Sequence, residues 1–329
     1  GTDWRHARYA PGGQPSRLSM ATAAAATASR PNRRRRFAGG MGRGVALLLL
    51  APAHALVLAA IAIPAVYVVW LSFTASSFGH APVFIGLANY FAVLGDPYFR
   101  RALLNTVLLV LVVVHAELLA GLGMALLFAS GLRARALLLA AVLAPYAVSE
   151  VAAVVMWRFL FDPDMGPLTL ALHAIGLPGL DWSVSPLAGL AIVALLSIWL
   201  NLPFTFIILY AARLSVPGEL YEAARVDGTT KLQSFRHITL PLLRPAILVA
   251  MLFRYIFAFR LFAEVWLMTQ GGPARSTEVV GVYLYLEAFR YNAFGAAAAT
   301  GWIMVVVSLL LAAVYLWRLR RGMVADAIA

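Results

Sequence analysis

Long apolar stretches, separated by short polar segments, dominate the hydrophobic pattern of the chain. A transmembrane helix needs about 20 mostly apolar residues, and six stretches reach that length. They are Val45–Phe73, Ala102–Ala129, Ala136–Phe161, Pro186–Ala212, Ala246–Met268 and Gly295–Trp317. The pattern therefore predicts an all-α membrane protein with six transmembrane helices.

Composition supports a location in lipid. The chain has 329 residues, of which 62% are hydrophobic and 12% are charged, with a mean hydropathy of +0.84. A water-soluble core cannot bury so large an apolar fraction. The sequence contains no cysteine, which excludes disulfides and a cysteine nucleophile. The net charge of +12 is spread over several segments, so we expect no nucleic acid as a partner.

The placement of arginine predicts the orientation. Basic residues concentrate before the first span, between the second and third, after the fourth and after the sixth. Cytoplasmic segments carry such an excess, so we expect both termini to be cytoplasmic. Arg33–Arg36 lie just before a span, where contact with anionic membrane lipid is favoured.

This pattern predicts three regions. Residues 1–44 form a flexible basic cytoplasmic tail, in which Met20 is a candidate natural start with residues 1–19 upstream of it. A transmembrane domain covers 45–319, with a cytoplasmic loop at 213–245. Residues 320–329 form a second cytoplasmic tail.

The longest polar interruption, "ELYEAARVDGTTKLQSFRHITLPLLRP", lies within that loop. Gly228 can adopt the left-handed conformation that ends a helix, and Thr230 with Gln233 forms a capping-box pattern for the next helix. We therefore predict two short helices joined at Gly228, with Leu240-Pro241 ending or redirecting the chain. A solvated loop and a docking element for a partner are both compatible with this prediction.

A motif in this loop resembles a known family. Glu222-Ala223-Ala224, Gly228, Ile238 and Leu240-Pro241 match the pattern EAA-x3-G-x9-I-x-LP. That pattern marks the permease subunits of binding-protein-dependent ABC importers. Three further stretches resemble the carbohydrate-uptake branch and its first-permease type, which carries sugars or glycerol phosphates. They are Phe84–Thr106, Ile198–Ala224 and Phe259–Phe289.

The resemblance implies a fold, partners and a role for the loop at 213–245, which we call the EAA loop. The fold would be the type I ABC importer transmembrane domain. A second permease, two ATPase subunits and an extracytoplasmic solute-binding protein would complete the transporter. The EAA loop would be the coupling helix that meets the ATPase. Its contact or shaping residues would be Glu222, Ala223, Ala224, Asp227, Gly228, Leu240 and Pro241.

The chain has no ATP-binding loop of its own. A Walker A motif requires Gly-Lys-Ser/Thr, and the only lysine, Lys231, stands between Thr230 and Leu232. We therefore expect a non-catalytic permease subunit that binds no cofactor or metal, with ATP and Mg²⁺ held by the partner ATPases.

Charged and polar residues inside the spans are candidates for the substrate pathway. The candidates are Asn201, Arg254, Tyr255, Phe257, Phe259, Arg260 and Glu264. Arg260 and Glu264 are four residues apart, so on one helix they either neutralise each other or face the pathway. Glu117 with His115 fits a proton relay or a helix-packing contact. Asn201 stands beside Pro203, where a helix break is expected.

The loop after the fifth span carries "TQGGP", and we expect Gly271, Gly272 and Pro273 to contact the binding protein. A sugar, disaccharide or polyol is the expected substrate, with glycerol 3-phosphate as the alternative. A self-sufficient secondary transporter or channel is a more distant alternative. A membrane enzyme is disfavoured because no HExxH or paired acidic motif is present.

Overall fold

The computed structural model describes residues 43–179 and 181–328, with side chains from 50 to 317. Nearly all of the predicted N-terminal tail lies outside the described residues. The helices are α1 Arg43–Ser72, α2 Ala88–Gly95, α3 Pro97–Ala129, α4 Arg135–Leu143, α5 Glu150–Leu160, α6 Pro167–Ala174, α7 Pro186–Leu214, α8 Gly218–Val226, α9 Lys231–Ser234, α10 Leu240–Ala258, α11 Ala263–Met268, α12 Val280–Tyr285 and α13 Phe294–Ile328.

Short irregular elements connect some of these helices. A 3₁₀ turn at Ala144–Ala147 follows α4, and π-helical turns at Phe235–Thr239 and Leu286–Arg290 follow α9 and α12. Two short strands, β1 Thr74–Ala75 and β2 Val83–Phe84, pair antiparallel with Thr74 opposite Phe84. The chain divides into units Gly1–Ile63 and Pro64–Ala329; of the first, the described residues 43–63 are helical.

Within the described residues, five helical segments are long and apolar enough to cross a membrane, or six if one bent pair counts as a span. The five are Leu50–Ser72, Pro97–Ala129, Pro186–Leu214, Lys231–Ala258 and Phe294–Trp317. The all-α membrane fold is thus confirmed. The predicted third span is the bent pair Arg135–Ala147 and Glu150–Leu160, which meet at 103°. Pro145 lies in the 3₁₀ turn at this bend, where its missing N–H favours an interruption.

The fifth span differs from its prediction at both ends. Helical structure begins at Lys231 and runs without a break through Leu240-Pro241 to Ala258. The predicted redirection at Leu240-Pro241 is therefore wrong. Pro241 lies in the first turn of α10, where a missing N–H costs little. The π-helical turn before it is wide, since Leu240 N–H donates to the carbonyl of Phe235.

Helix α7 lies at the centre of the described bundle and packs against α3 and α10. Its buried side chains include Ile192, Leu196 and Phe206. The helix continues through Pro203, so the expected break beside Asn201 is wrong. Asn201 donates from Nδ2 to the Ser197 carbonyl at 2.9 Å.

Candidate functional site

A cavity of about 310 Å³ lies where α7 and α10 meet the irregular segments next to α5 and α11. Two of its walls come from chain interruptions, the turn before α5 and the segment between α10 and α11. Its polar and charged lining residues are Tyr146, Glu150, Ser197, Asn201, Arg254, Arg260 and Glu264. The interruptions thus bring polar groups together at a depth where a bundle of straight helices would present apolar ones.

Arg254 is held inside the bundle by two other helices. Its guanidinium donates to Glu117 from Nε at 2.5 Å and from Nη2 at 2.8 Å. Nη1 also donates to Asn201 Oδ1 at 3.1 Å. The Arg254 side chain is 4% exposed and the Glu117 side chain is fully buried. These hydrogen bonds connect α10 to α3 and α7. The pairing of Arg254 with Glu117 also neutralises both charges inside the molecule.

Glu117 is therefore a packing group and is not paired with His115. His115 lies exposed on the outer side of α3, where its Nδ1 is 2.8 Å from the Leu111 carbonyl. The edge of its ring faces Tyr255. The proton-relay arrangement of Glu117 with His115 is wrong because their side chains engage different neighbours.

Arg260 and Glu264 do not share a helical face. Helix α10 ends at Ala258 and α11 begins at Ala263, so the two residues lie on opposite sides of a non-helical segment. Among the described residues, no ion pair joins their side chains. The interpretation that they neutralise each other at helical spacing is wrong for this reason. Both side chains line the cavity, with Glu264 buried and Arg260 exposed.

A glycine on a neighbouring helix makes room for this interruption. A Cβ added to Gly281 of α12 would lie 2.8 Å from the Leu261 carbonyl oxygen and 3.2 Å from the Phe262 Cβ. The first distance is shorter than real Cβ contacts, and the atom it meets is backbone. The non-helical segment therefore packs directly on the α12 backbone, and only glycine permits that approach.

The aromatic candidates of α10 separate into two groups. Phe257 lines the cavity and is 46% exposed. Tyr255 and Phe259 are 5% and 2% exposed and pack in the core cluster that includes Phe206 and Leu209. Tyr255 and Phe259 therefore do not line this cavity.

The EAA loop folds as two helices around a left-handed glycine, as predicted. Gly228 follows α8 with φ +70°, and both hydrogen bonds of the Thr230–Gln233 capping box are present. The Thr229 hydroxyl donates to the carbonyl of Ala224 at 2.7 Å and closes the turn. The local chemistry alone fixes this geometry, because every partner lies within five residues.

Most motif residues of the loop face outward. Glu222, Ala223, Asp227 and Gly228 are exposed, whereas Ala224 is buried against the second helix. Leu240 and Pro241 are partly buried at the start of α10. A shallow cavity of about 330 Å³ lies between α8 and the α9 region.

Two features of this loop are absent from the sequence-based prediction. Val226 and Leu232 are 88% and 73% exposed on either side of Gly228. In the sequence, only their position as apolar residues beside a predicted turn indicates that they are exposed. The ring of Tyr221 lies under the Arg213 guanidinium at 4.4 Å. Its hydroxyl is 2.9 Å from the Thr239 hydroxyl, so α8 is braced to the end of α7 and to the π-helical turn.

The residues predicted to contact a binding protein lie in a tight turn. Gly271 has φ +80° and is buried, while Gly272 and Pro273 are partly buried. Thr277 closes the turn, with its hydroxyl donating to the Gly272 carbonyl at 2.6 Å and its N–H to the Gly271 carbonyl at 3.1 Å. The three residues thus shape the loop, and the neighbouring Ala274 is exposed.

The same loop is fastened to the start of α3. The Arg275 guanidinium donates two hydrogen bonds to Glu278 and lies 4.1 Å from the centre of the Tyr98 ring. Hydrogen bonding to Glu278 raises the pKa of Arg275. Burial, together with the hydrogen bond donated to Asp96, raises the pKa of Tyr283. Arg275 and Tyr283 therefore keep their protonated forms at ordinary pH.

Among the described residues, no three His, Cys, Asp or Glu side chains are grouped as metal ligands would be.

Comparison with known proteins places this architecture in a family. The model of the binding-protein-dependent transport system inner membrane component matches residues 117–321. A sulfoquinovosyl glycerol transport system permease, SmoG of Agrobacterium fabrum, is 35% identical over 268 residues, covering 81% of this chain and 87% of that protein. The chain therefore belongs to the family of binding-protein-dependent transport system inner membrane components, and the resemblance carried by the EAA motif is confirmed.

Other relatives share the same extent. The trehalose/maltose permease MalF of Thermococcus litoralis is 30% identical, covering 80% of this chain and 90% of that protein. The diacetylchitobiose uptake permease DasB of Streptomyces coelicolor is 32% identical, with 72% and 74% covered. A chain of a bacterial alginate ABC transporter, solved with a pentasaccharide-bound periplasmic protein, is 23% identical with a TM-score of 0.75, covering 85% and 95%. This likeness confirms the predicted importer fold.

Proposed function

We propose that this chain forms half of the translocation pathway of an ATP-driven importer for a sugar or polyol. A single observation carries the proposal. One uninterrupted helical segment, Lys231–Ala258, begins in the EAA loop and ends at the cavity. Displacement of the loop would therefore move Arg254 and the cavity wall with it.

The EAA loop is the proposed contact for a separate ATPase subunit, which would bind ATP and Mg²⁺. Glu222, Ala223, Asp227 and Gly228 present an exposed surface, and Val226 and Leu232 add apolar area to it. Exposed apolar groups rimmed by polar ones are typical of protein interfaces. Ala224, Leu240 and Pro241 support this surface from within.

The sugar assignment follows from the relatives, whose names specify trehalose or maltose, diacetylchitobiose and sulfoquinovosyl glycerol. We propose that a second permease, two ATPases and an extracytoplasmic binding protein complete the transporter in a bacterial inner membrane. Both termini would be cytoplasmic. The loop shaped by Gly271, Gly272 and Pro273 is the proposed docking region for the binding protein.

Five of the predicted pathway residues line the cavity, namely Asn201, Arg254, Phe257, Arg260 and Glu264. We propose that these residues face the transported solute or, for Arg254 and Asn201, hold the wall in place. The alternative substrate, a glycerol phosphate, is favoured by one observation, the exposed guanidinium of Arg260.

Substitution of the loop glycine tests the coupling role. Gly228→Val forces a β-branched residue into φ +70°, a conformation that such residues rarely adopt. In proteoliposomes holding the complete transporter, we expect ATP-driven sugar uptake to fall at least about tenfold, with normal amounts of permease in the membrane. Gly218→Val is the matched control, since Gly218 also has open space around its Cβ position but no positive φ.

Normal uptake by the Gly228→Val transporter would contradict the proposal. Vesicles that hold this chain alone provide a second test. Uphill solute movement without an ATPase partner would show a self-sufficient transporter instead of a subunit.

A further inference from the structure

Of the charged side chains that line the cavity, one has an ion-pair partner among the described residues of the bundle and three do not. Arg254 is already neutralised by Glu117 through two hydrogen bonds. The groups that remain are one guanidinium, Arg260, and two carboxyl groups, Glu150 and Glu264. Both carboxyl groups line the same cavity, Glu150 from the start of α5 and Glu264 from α11. Apart from the Arg254–Glu117 pair, the lining therefore contains more carboxyl groups than guanidinium groups.

We propose that Glu150 and Glu264 make the cavity selective for an uncharged, hydroxyl-rich solute and exclude phosphorylated ones. This inference rests on the proposed transport function and decides between its two substrate classes. A phosphate would bring up to two negative charges into this cavity. Burying such a charge without a matching cation is costly, and an ionised carboxylate in the same lining adds like-charge repulsion.

The same lining suits a neutral sugar. Carboxyl oxygens accept hydrogen bonds from hydroxyl groups, and the Arg260 guanidinium donates to hydroxyl oxygens. Tyr146 and Phe257 are 59% and 46% exposed, and aromatic faces of this kind pack against the apolar C–H face of a sugar ring. Acceptors, a donor and apolar faces thus surround one space.

The volume of the cavity is also consistent with a small neutral solute. At about 310 Å³, the cavity is at the lower end of the range of roughly 300–1,000 Å³ for small-molecule sites. It matches one sugar ring or a small polyol. A longer saccharide would place a single ring there.

Matched pairs of probes test the charge selectivity directly. Saturation-transfer NMR on the full chain in lipid nanodiscs compares glucose with glucose 6-phosphate and glycerol with glycerol 3-phosphate. We expect saturation of at least one neutral probe, with its phosphate at least about tenfold weaker. The Glu150→Gln/Glu264→Gln variant removes both carboxyl groups and leaves Arg260 in excess. The ratio of saturation by the neutral probe to saturation by its phosphate is therefore expected to fall to about twofold or to reverse.

Two further variants show whether a changed ratio comes from loss of a carboxyl group in the cavity or from a damaged fold. Glu150→Gln alone changes an exposed residue, so its fold is expected to survive even if the buried Glu264 tolerates no change. In this variant the ratio of neutral-probe to phosphate-probe saturation should also fall, as in the double variant. Asp164→Asn is the control, because it makes the same carboxyl-to-amide change in an exposed loop away from the cavity, and it should leave the ratio unchanged.

Several outcomes would overturn the inference. They are phosphate probes that bind the unaltered chain as tightly as their neutral partners, an unchanged ratio in both glutamate variants, and an absence of saturation with either neutral probe. ATP-driven uptake by the complete transporter is measured separately. If that uptake persists while a phosphate is preferred, the charge inference fails and the proposed transport function stands.

Discussion

The EAA loop and the helix bundle each contain a Glu–Arg pair, and the two pairs have opposite surroundings. In the loop, Arg225 Nη2 and Glu222 Oε1 are 3.8 Å apart, with the side chains 76% and 70% exposed. In the bundle, Arg254 and Glu117 form two hydrogen bonds and are almost completely buried. Water screens the first pair, so its charges remain available to another protein. The second pair has no such screening and serves as an internal fastening.

The largest expected effect comes from breaking the buried pair. Arg254→Met leaves the Glu117 carboxylate buried without its partner, which typically costs about 3–5 kcal/mol. We expect loss of monodisperse protein, or a large drop in the thermal unfolding temperature in detergent. Adding Glu117→Gln to Arg254→Met removes the unpaired charge and should recover part of the loss. A single variant as stable as the unaltered chain would show that the pair is not an internal fastening.

An intermediate effect is expected where the cavity wall meets α12. Gly281→Ala places a methyl group 2.8 Å from the Leu261 carbonyl, and such overpacking costs about 1–3 kcal/mol. The thermal unfolding temperature should fall, and the shift of Leu261 should change solute binding in the cavity. Gly301→Ala is the matched control on α13, since its Cβ would meet only Leu284 Cδ1 at 3.5 Å. Equal effects of the two substitutions would argue against a tight fit at Gly281.

The smallest effect on stability is expected in the loop. Glu222→Ala removes an exposed pair, so the unfolding temperature should change by the equivalent of about 0.5 kcal/mol or less. Association with the ATPase subunit should weaken, because the Glu222 carboxylate lies on the proposed contact surface. Pull-down of the ATPase by the variant permease, with protein amount as the reference, measures this difference. Unchanged association would remove Glu222 from the contact.

The distance between partners along the chain explains which features were predictable. The turn at Gly228 and the capping box of Thr230 and Gln233 depend on residues that are three to five positions apart, and the sequence predicts them. The partner of Arg254 is 137 positions away. No local pattern identifies Glu117 as that partner, so the sequence indicated only that both residues lie inside spans.

The end of the fifth span illustrates a second limit. Apolar residues continue through Leu261, Phe262 and Ala263, so hydropathy predicts a helix that runs to Met268. The helix instead ends at Ala258, and the following segment packs against Gly281 of α12. Hydropathy measures affinity for lipid but carries no information on contacts from another helix. The interruption that forms the cavity wall was therefore beyond sequence reasoning.

The continuous helical segment Lys231–Ala258 also has a mechanical consequence. Its 28 residues extend about 42 Å at the usual helical rise, which makes it a lever arm rather than a flexible tether. A rotation of about 10° about its Lys231 end would displace its Ala258 end by roughly 7 Å for that length. If the EAA loop receives movement from a partner as proposed, a small rotation there would produce a displacement at the cavity comparable to the width of a sugar ring.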